Sequence, residues 1–145
     1  MQLSIKQAED PRGAGQQIGE LLYQFNKEAV GARPGERFVL TITAPGSDEI
    51  LGGLTAISSW GSFYIDDVVV PEAARGQGLG AELMRQAEHE ARARGCRHMW
   101  LSTYEFQARP FYERLGFEVF GRLDGLAPFF PQHFMKKTLE QPADG

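Results

Sequence analysis

The sequence predicts an α+β domain whose mixed, mostly antiparallel sheet is flanked by helices. Three strand-like segments parted by turn signals fill the first half, the pattern of an antiparallel meander. A strand, a glycine-rich loop, a helix and another strand follow, and such a crossover makes its two strands parallel. A short helix and two further strand-like segments close the chain. The length of 145 residues suits one domain with a sizeable core. That domain is assigned to residues 1–140, and Gln141 to Gly145 read as a frayed tail.

Leu3 and Ile5 alternate with polar neighbours and predict a short first strand. After Asp10-Pro11, the residues Ile18, Leu21, Leu22, Phe25 and Ala29 fall at helical spacing, and the breaker-rich segment Gly31 to Gly35 ends that helix. Strands are predicted over Arg37 to Thr43, Ile50 to Ser59 and Phe63 to Val70, separated by Pro45-Gly46-Ser47-Asp48 and Trp60-Gly61-Ser62. Leu79, Leu83, Met84, Ala87 and Ala91 mark one face of a helix from Gly78 to Arg94, stopped by Gly95. Glu88 with Arg92, and Glu90 with Arg94, read as pairs that support this helix. A strand over His98 to Tyr104 precedes a helix marked by Ala108, Phe111, Tyr112 and Leu115 and stopped by Gly116. Phe117 to Leu123 and Gln132 to Leu139 read as the final strands.

Composition narrows the function. A net charge of −4 argues against a nucleic-acid surface, which needs a basic patch. No apolar run reaches membrane length and no secretory pattern opens the chain, so a cytoplasmic setting without membrane contact is expected. Cys96 is the only cysteine, which excludes an internal disulfide and predicts an inert buried thiol. His89, His98 and His133 lack metal-ligand spacing, so no metal is expected.

The stretch Arg75-Gly76-Gln77-Gly78-Leu79-Gly80 carries the strongest functional signal. Glycines at a helix start expose backbone N–H groups beside the positive end of the helix dipole, a ready site for a pyrophosphate. Arg75 can add a charged fork. A Walker loop is excluded because Gly80 is followed by Ala81-Glu82 rather than Lys and Ser/Thr. A dinucleotide fingerprint competes through Gly76, Gly78 and Ala81. The long turn from Val70, the meander upstream and the short remainder after Glu105 count against it.

Arg75-x-x-Gly78-x-Gly80, together with Phe111-Tyr112-Glu113-Arg114-Leu115-Gly116-Phe117, resembles the Gcn5-related N-acetyltransferase (GNAT) family, in a small bacterial single-domain form. The resemblance implies transfer of an acetyl group from acetyl-CoA to a primary amine, directly and in a ternary complex. It implies that Val68, Val69 and Val70 pair with the pantetheine arm as an added strand. Backbone groups of Arg75, Gly76, Gln77, Gly78, Leu79 and Gly80 would hold the pyrophosphate. Phe111 and Tyr112 would lie along the cofactor, with Arg109 or Arg114 reaching its outer phosphates. The family often carries Asn seven residues before the tyrosine; here that position is Glu105, a carboxylate near the reacting end.

Amine transfer needs a neutral nucleophile and a partner for the departing thiolate. A protonated Tyr112 is the candidate partner, against the plain reading of a core aromatic. Asp66 and Asp67 should point to opposite faces of their strand, at least one partly buried, where either could be a base or a carboxylate satisfied by neighbouring backbone or an Arg. The resemblance, whose subgroup looks to retain an acid at this position, favours Asp66 as the base. Trp60, Phe129 and Phe130 would either line the acceptor pocket, cover the core or make a homodimer contact. Acidic groups at Asp66, Asp67, Glu105 and Asp124 suggest a cationic small-molecule or peptide amine. The alternative is a non-catalytic acyl-CoA-binding or sensing module.

Overall fold

The computed structural model describes residues 1–31, 35–104, 108–125 and 131–140. The chain divides into two compact units, Met1–Pro34 and Gly35–Gly145. The first holds one helix, α1 (Pro11–Val30), with proline in its first turn where no intrahelical N–H is needed. It ends at Gly31, whose φ of 91° suits only glycine well and whose N–H donates to the Lys27 carbonyl at 2.9 Å. The predicted strand at Leu3 and Ile5 does not form. A strand needs a ladder partner, and this unit contains none among its described residues.

The second unit is a six-stranded sheet. Its strands are β1 (Glu36–Thr43), β2 (Ile50–Ser59), β3 (Ser62–Val69), β4 (His98–Tyr104), β5 (Glu118–Leu123) and β6 (Gln132–Thr138). They lie in the order β1-β2-β3-β4-β6-β5, and only the β3–β4 pair is parallel. Helix α2 (Leu79–Ala93) forms the crossover between β3 and β4, and α3 (Arg109–Arg114) follows β4. Each lies within one or two residues of its predicted span. The α2 stripe Leu83, Met84, Ala87 and Ala91 is buried with Leu54, Phe63, Ile65, Met99, Leu101 and Met135. Cys96 joins this core, and burial pushes its thiol pKa up, away from reactivity.

The charged pairs of α2 do more than support the helix. Arg94 donates to the Glu36 carbonyl at 2.7 Å, the Arg37 carbonyl at 3.1 Å and the Ser58 hydroxyl at 2.9 Å. Its guanidinium also lies over the Phe38 and Phe63 rings. Glu88 pairs with Lys137 of β6 at 2.6 Å as well as with Arg92. Burial alone would raise the Glu88 pKa, but the two cations outweigh it and hold the carboxyl below its ordinary value.

Two irregularities shape the site. The β2–β3 register shifts between Thr55 and Ala56, so Thr55 faces Asp67 while Ala56 faces Ile65, and Asp66 is the extra residue of a bulge. Phe63 and Ile65 therefore bury before the bulge, and Val68 and Val70 pack on the core after it. This overturns the simple alternation expected for Asp66 and Asp67. Both are exposed, and both carboxylates act on the same neighbour, the Tyr64 hydroxyl. The second irregularity is a parting of strands. β3 and β4 pair only from Ser62–His98 to Tyr64–Trp100 and then separate.

Candidate active site

The glycine loop meets the requirements of an anion cradle. Gly76 and Gly78 have φ values of 82° and 78°, a left-handed conformation that costs other residues energy. Gly80 is close-packed instead: a Cβ there would come within 3.2 Å of the Phe111 ring, which would have to give by a few tenths of an ångström, and 3.6 Å of Val70. The first intrahelical bond of α2 runs from the Glu82 N–H to the Gly78 carbonyl at 3.0 Å. The N–H groups of Leu79, Gly80 and Ala81 precede it and lack an intrahelical acceptor. Arg75 corrects the expectation in part, because its own N–H already donates to the Glu72 carbonyl at 3.2 Å in the 3₁₀ turn Glu72–Ala74. Only its exposed side chain remains for a ligand.

A cavity of about 690 Å³ runs from this loop along Val68 and Val70 to Phe111 and Tyr112. Where β3 and β4 part, a second cavity of about 290 Å³ opens between Asp66, Asp67 and Val69 on one side and Leu101, Ser102 and Thr103 on the other. Val68, Ala108 and Tyr112 wall both cavities, so the two meet at the tyrosine. A larger cavity, about 810 Å³, opens beside Arg97, His98, Trp100 and Lys136. It touches neither the loop nor Tyr112.

Tyr112 is 8 % exposed and packs edge-on against Phe111 at 5.1 Å and Phe117 at 5.9 Å. Burial raises its phenol pKa above the ordinary value of 10.0. The core-aromatic reading is realised, since the ring is buried in the core, and the residue also lines both cavities. Tyr64 stacks on Trp100 with centroids 4.3 Å apart. Burial, and then Asp66 and Asp67, raise the Tyr64 pKa. Asp67 accepts a hydrogen bond from the Thr55 hydroxyl at 2.8 Å, while its own N–H donates to that oxygen at 3.1 Å.

Several predicted residues sit elsewhere. Arg114 lies in the last turn of α3, exposed and outside both cavity walls. Arg109 pairs with Glu113 at 3.6 Å. Gln77 is exposed between its two glycines. Trp60 occupies the β2–β3 turn with φ 47°, at the end of β3 opposite the cleft, and lines neither of these two cavities. Asp124 is paired with Arg122 at 2.8 Å. His133 is buried in β6. Glu105, Phe129 and Phe130 lie outside the described residues. Ala81 entered the sequence analysis only through the Walker-loop exclusion and the disfavoured dinucleotide fingerprint, although the rule of unpaired helix-start N–H groups, extended one residue past Gly80, reaches it. No local signal ties Thr55 to Asp67.

The profile of the acetyltransferase (GNAT) family matches residues 5–117. The chain belongs to the GNAT family. It is 40% identical over 89 residues to an acetyltransferase of Agrobacterium fabrum, a match covering 61% of this chain and 65%, just under two thirds, of that one. It is 34% identical over 109 residues to the blasticidin-S acetyltransferase of Streptomyces morookaense, covering 74% and 79% of the two chains. The crystal structure of an acetyltransferase from Bacillus cereus is 28% identical with a TM-score of 0.79, covering 94% of this chain and 98% of that one. This kinship supports acetyl-CoA-dependent acyl transfer as the chemistry of the GNAT site. Among the described residues no helix is long and apolar enough to cross a membrane, and no group of three or more acidic, histidine or cysteine side chains could hold a metal ion.

Proposed function

We propose that this GNAT protein transfers the acetyl group of acetyl-CoA to a primary amine by direct attack in a ternary complex. The observation that carries the reading is the meeting of the loop cavity and the inter-strand cleft at Tyr112. One cavity fits a long phosphorylated donor, and the other reaches its end from the opposite side. The residues present fit acetyl-CoA on three counts. Positive-φ glycines and three helix-start N–H groups suit its pyrophosphate. The edge of β3 facing β4, unpaired beyond Tyr64, suits its amide-bearing arm as an added strand. Phe111, held against Gly80, gives that arm an apolar wall.

The acceptor amine enters between β3 and β4. An alkylamine has a reference pKa of about 10.4, so at pH 7 roughly one molecule in a few thousand is neutral, a handicap of about 4–5 kcal/mol. Asp66, with Glu105 as the second candidate, takes the proton directly or through water. The adjoining carboxylates Asp66 and Asp67 favour a cationic acceptor, small molecule or peptide. Val68 offers a backbone N–H to the carbonyl oxygen as negative charge develops there. Tyr112, kept protonated by burial, donates a hydrogen bond to the departing thiolate. The described residues lining both cavities include neither cysteine nor histidine, which favours direct attack over a covalent acyl-enzyme.

The test uses purified protein, acetyl-CoA and a panel of amines that includes blasticidin S, polyamines and lysine peptides. Saturable acetyl-CoA binding and acceptor-dependent thiol release are expected. Tight binding without thiol release across the panel would favour a non-catalytic acyl-CoA sensor, and no binding would end the proposal.

A further inference from the structure

We infer that Thr55 is a positioning residue, whose hydroxyl clamps the β3 bulge and thereby aims the Val68 N–H into the cleft where the reacting carbonyl lies. The inference rests on the acetyl-transfer reading above. A bulge leaves one residue without a ladder partner and bends its strand. Here the register shift at Thr55/Ala56 leaves Asp66 extra, and the Thr55 side chain bonds the residue that follows it, Asp67. The Thr55 oxygen accepts the Asp67 N–H at 3.1 Å and donates its own hydrogen to Asp67 Oδ2 at 2.8 Å. One hydroxyl thus holds both the backbone and the side chain of the residue after the bulge.

The direction of that bond fixes the next one. The Asp67 N–H points across to β2, since Thr55 belongs to β2. Backbone N–H groups alternate sides along an extended strand, so that of Val68 points toward β4. No β4 backbone meets it, because the β3–β4 pairing ends at Tyr64–Trp100. Val68 walls both cavities, so its N–H opens onto their junction. Without the clamp, a strand slipped by one residue would turn Val68 to the other face and its N–H back to β2. Thr55 itself walls neither cavity, which separates this role from contact with substrate.

The test reads the carbonyl itself and needs no acceptor. Infrared difference spectra are taken of [1-13C]acetyl-CoA bound to the full-length protein and to Thr55→Val and Thr55→Ser. In the wild type the carbonyl stretch should move to lower frequency on binding. Thr55→Val should lose at least half of that displacement with acetyl-CoA affinity within about threefold, since the substitution leaves the rest of the donor site in place. Thr55→Ser should restore it. A full displacement in Thr55→Val, or a Ser variant as deficient as Val, overturns the inference. Wild-type protein that binds acetyl-CoA with no displacement overturns it as well, whereas wild-type protein that fails to bind brings down the acetyl-transfer reading itself. If Thr55→Val does not fold, Asp67→Ala at an exposed position removes one arm of the clamp; it should show a reduced displacement, and an unchanged one counts against the clamp.

Discussion

Tyr112 packs in the core and, in the proposed function, also donates to the departing thiolate; substitution separates the two. Tyr112→Phe keeps the ring that packs on Phe111 and Phe117 and removes only the hydroxyl. Turnover should fall about tenfold or more, the weight of one transition-state hydrogen bond, with acetyl-CoA affinity changed less than threefold in titration calorimetry. The sign of its pH dependence follows from burial. A phenol pKa raised above 10.0 keeps the donor proton in place at neutral and mildly alkaline pH, and the proton leaves only as pH rises through that elevated value. The wild type and Tyr112→Phe should therefore share the same profile shape below about pH 10. A wild-type alkaline limb well below that pH, absent from the variant, would contradict the assignment. The tyrosine was readable from its signature, but its joint place in two cavities was not, because Val68, on a distant strand, reaches it only through folding.

At the scale of elements, α2 is anchored at both ends. Its start depends on Gly78, whose φ of 78° suits no ordinary side chain. Gly78→Ala should cost about 1–2 kcal/mol in thermal or urea unfolding and weaken acetyl-CoA binding by tenfold or more as the N–H groups lose their aim. Equal affinity in the variant would show that the loop does not hold the donor. Its end depends on Arg94, only 13% exposed at its side chain. Arg94→Ala removes bonds to two β1 carbonyls and Ser58 and the stacking on Phe38 and Phe63. It should destabilise the protein by about 2–4 kcal/mol in urea unfolding, and Lys should recover less than half because it cannot form the same fork. Periodicity located this helix to within a residue at each end and paired Arg94 with Glu90. Its bonds to β1 join residues more than fifty positions apart and leave no local pattern.

At the scale of the whole molecule, a donor that binds only the folded state must raise stability. At a hundred times its dissociation constant, acetyl-CoA should add about 2.7 kcal/mol, a rise of several degrees in the unfolding midpoint that grows with concentration. Under the proposed function the loop holds the pyrophosphate that both molecules share, so coenzyme A should reproduce most of the shift; a shift confined to acetyl-CoA would argue against that role of the loop. The sequence was sufficient for the α+β layout, the meander, the crossover, the glycine loop and the family, because each rests on local periodicity, turn chemistry or contiguous motifs. Folding alone determined the parting of β3 and β4, the bulge that sets Asp66 and Asp67 beside one tyrosine, and the Thr55 bond that holds it. Those depend on register between strands, and register is decided where two distant segments meet, which no single segment encodes.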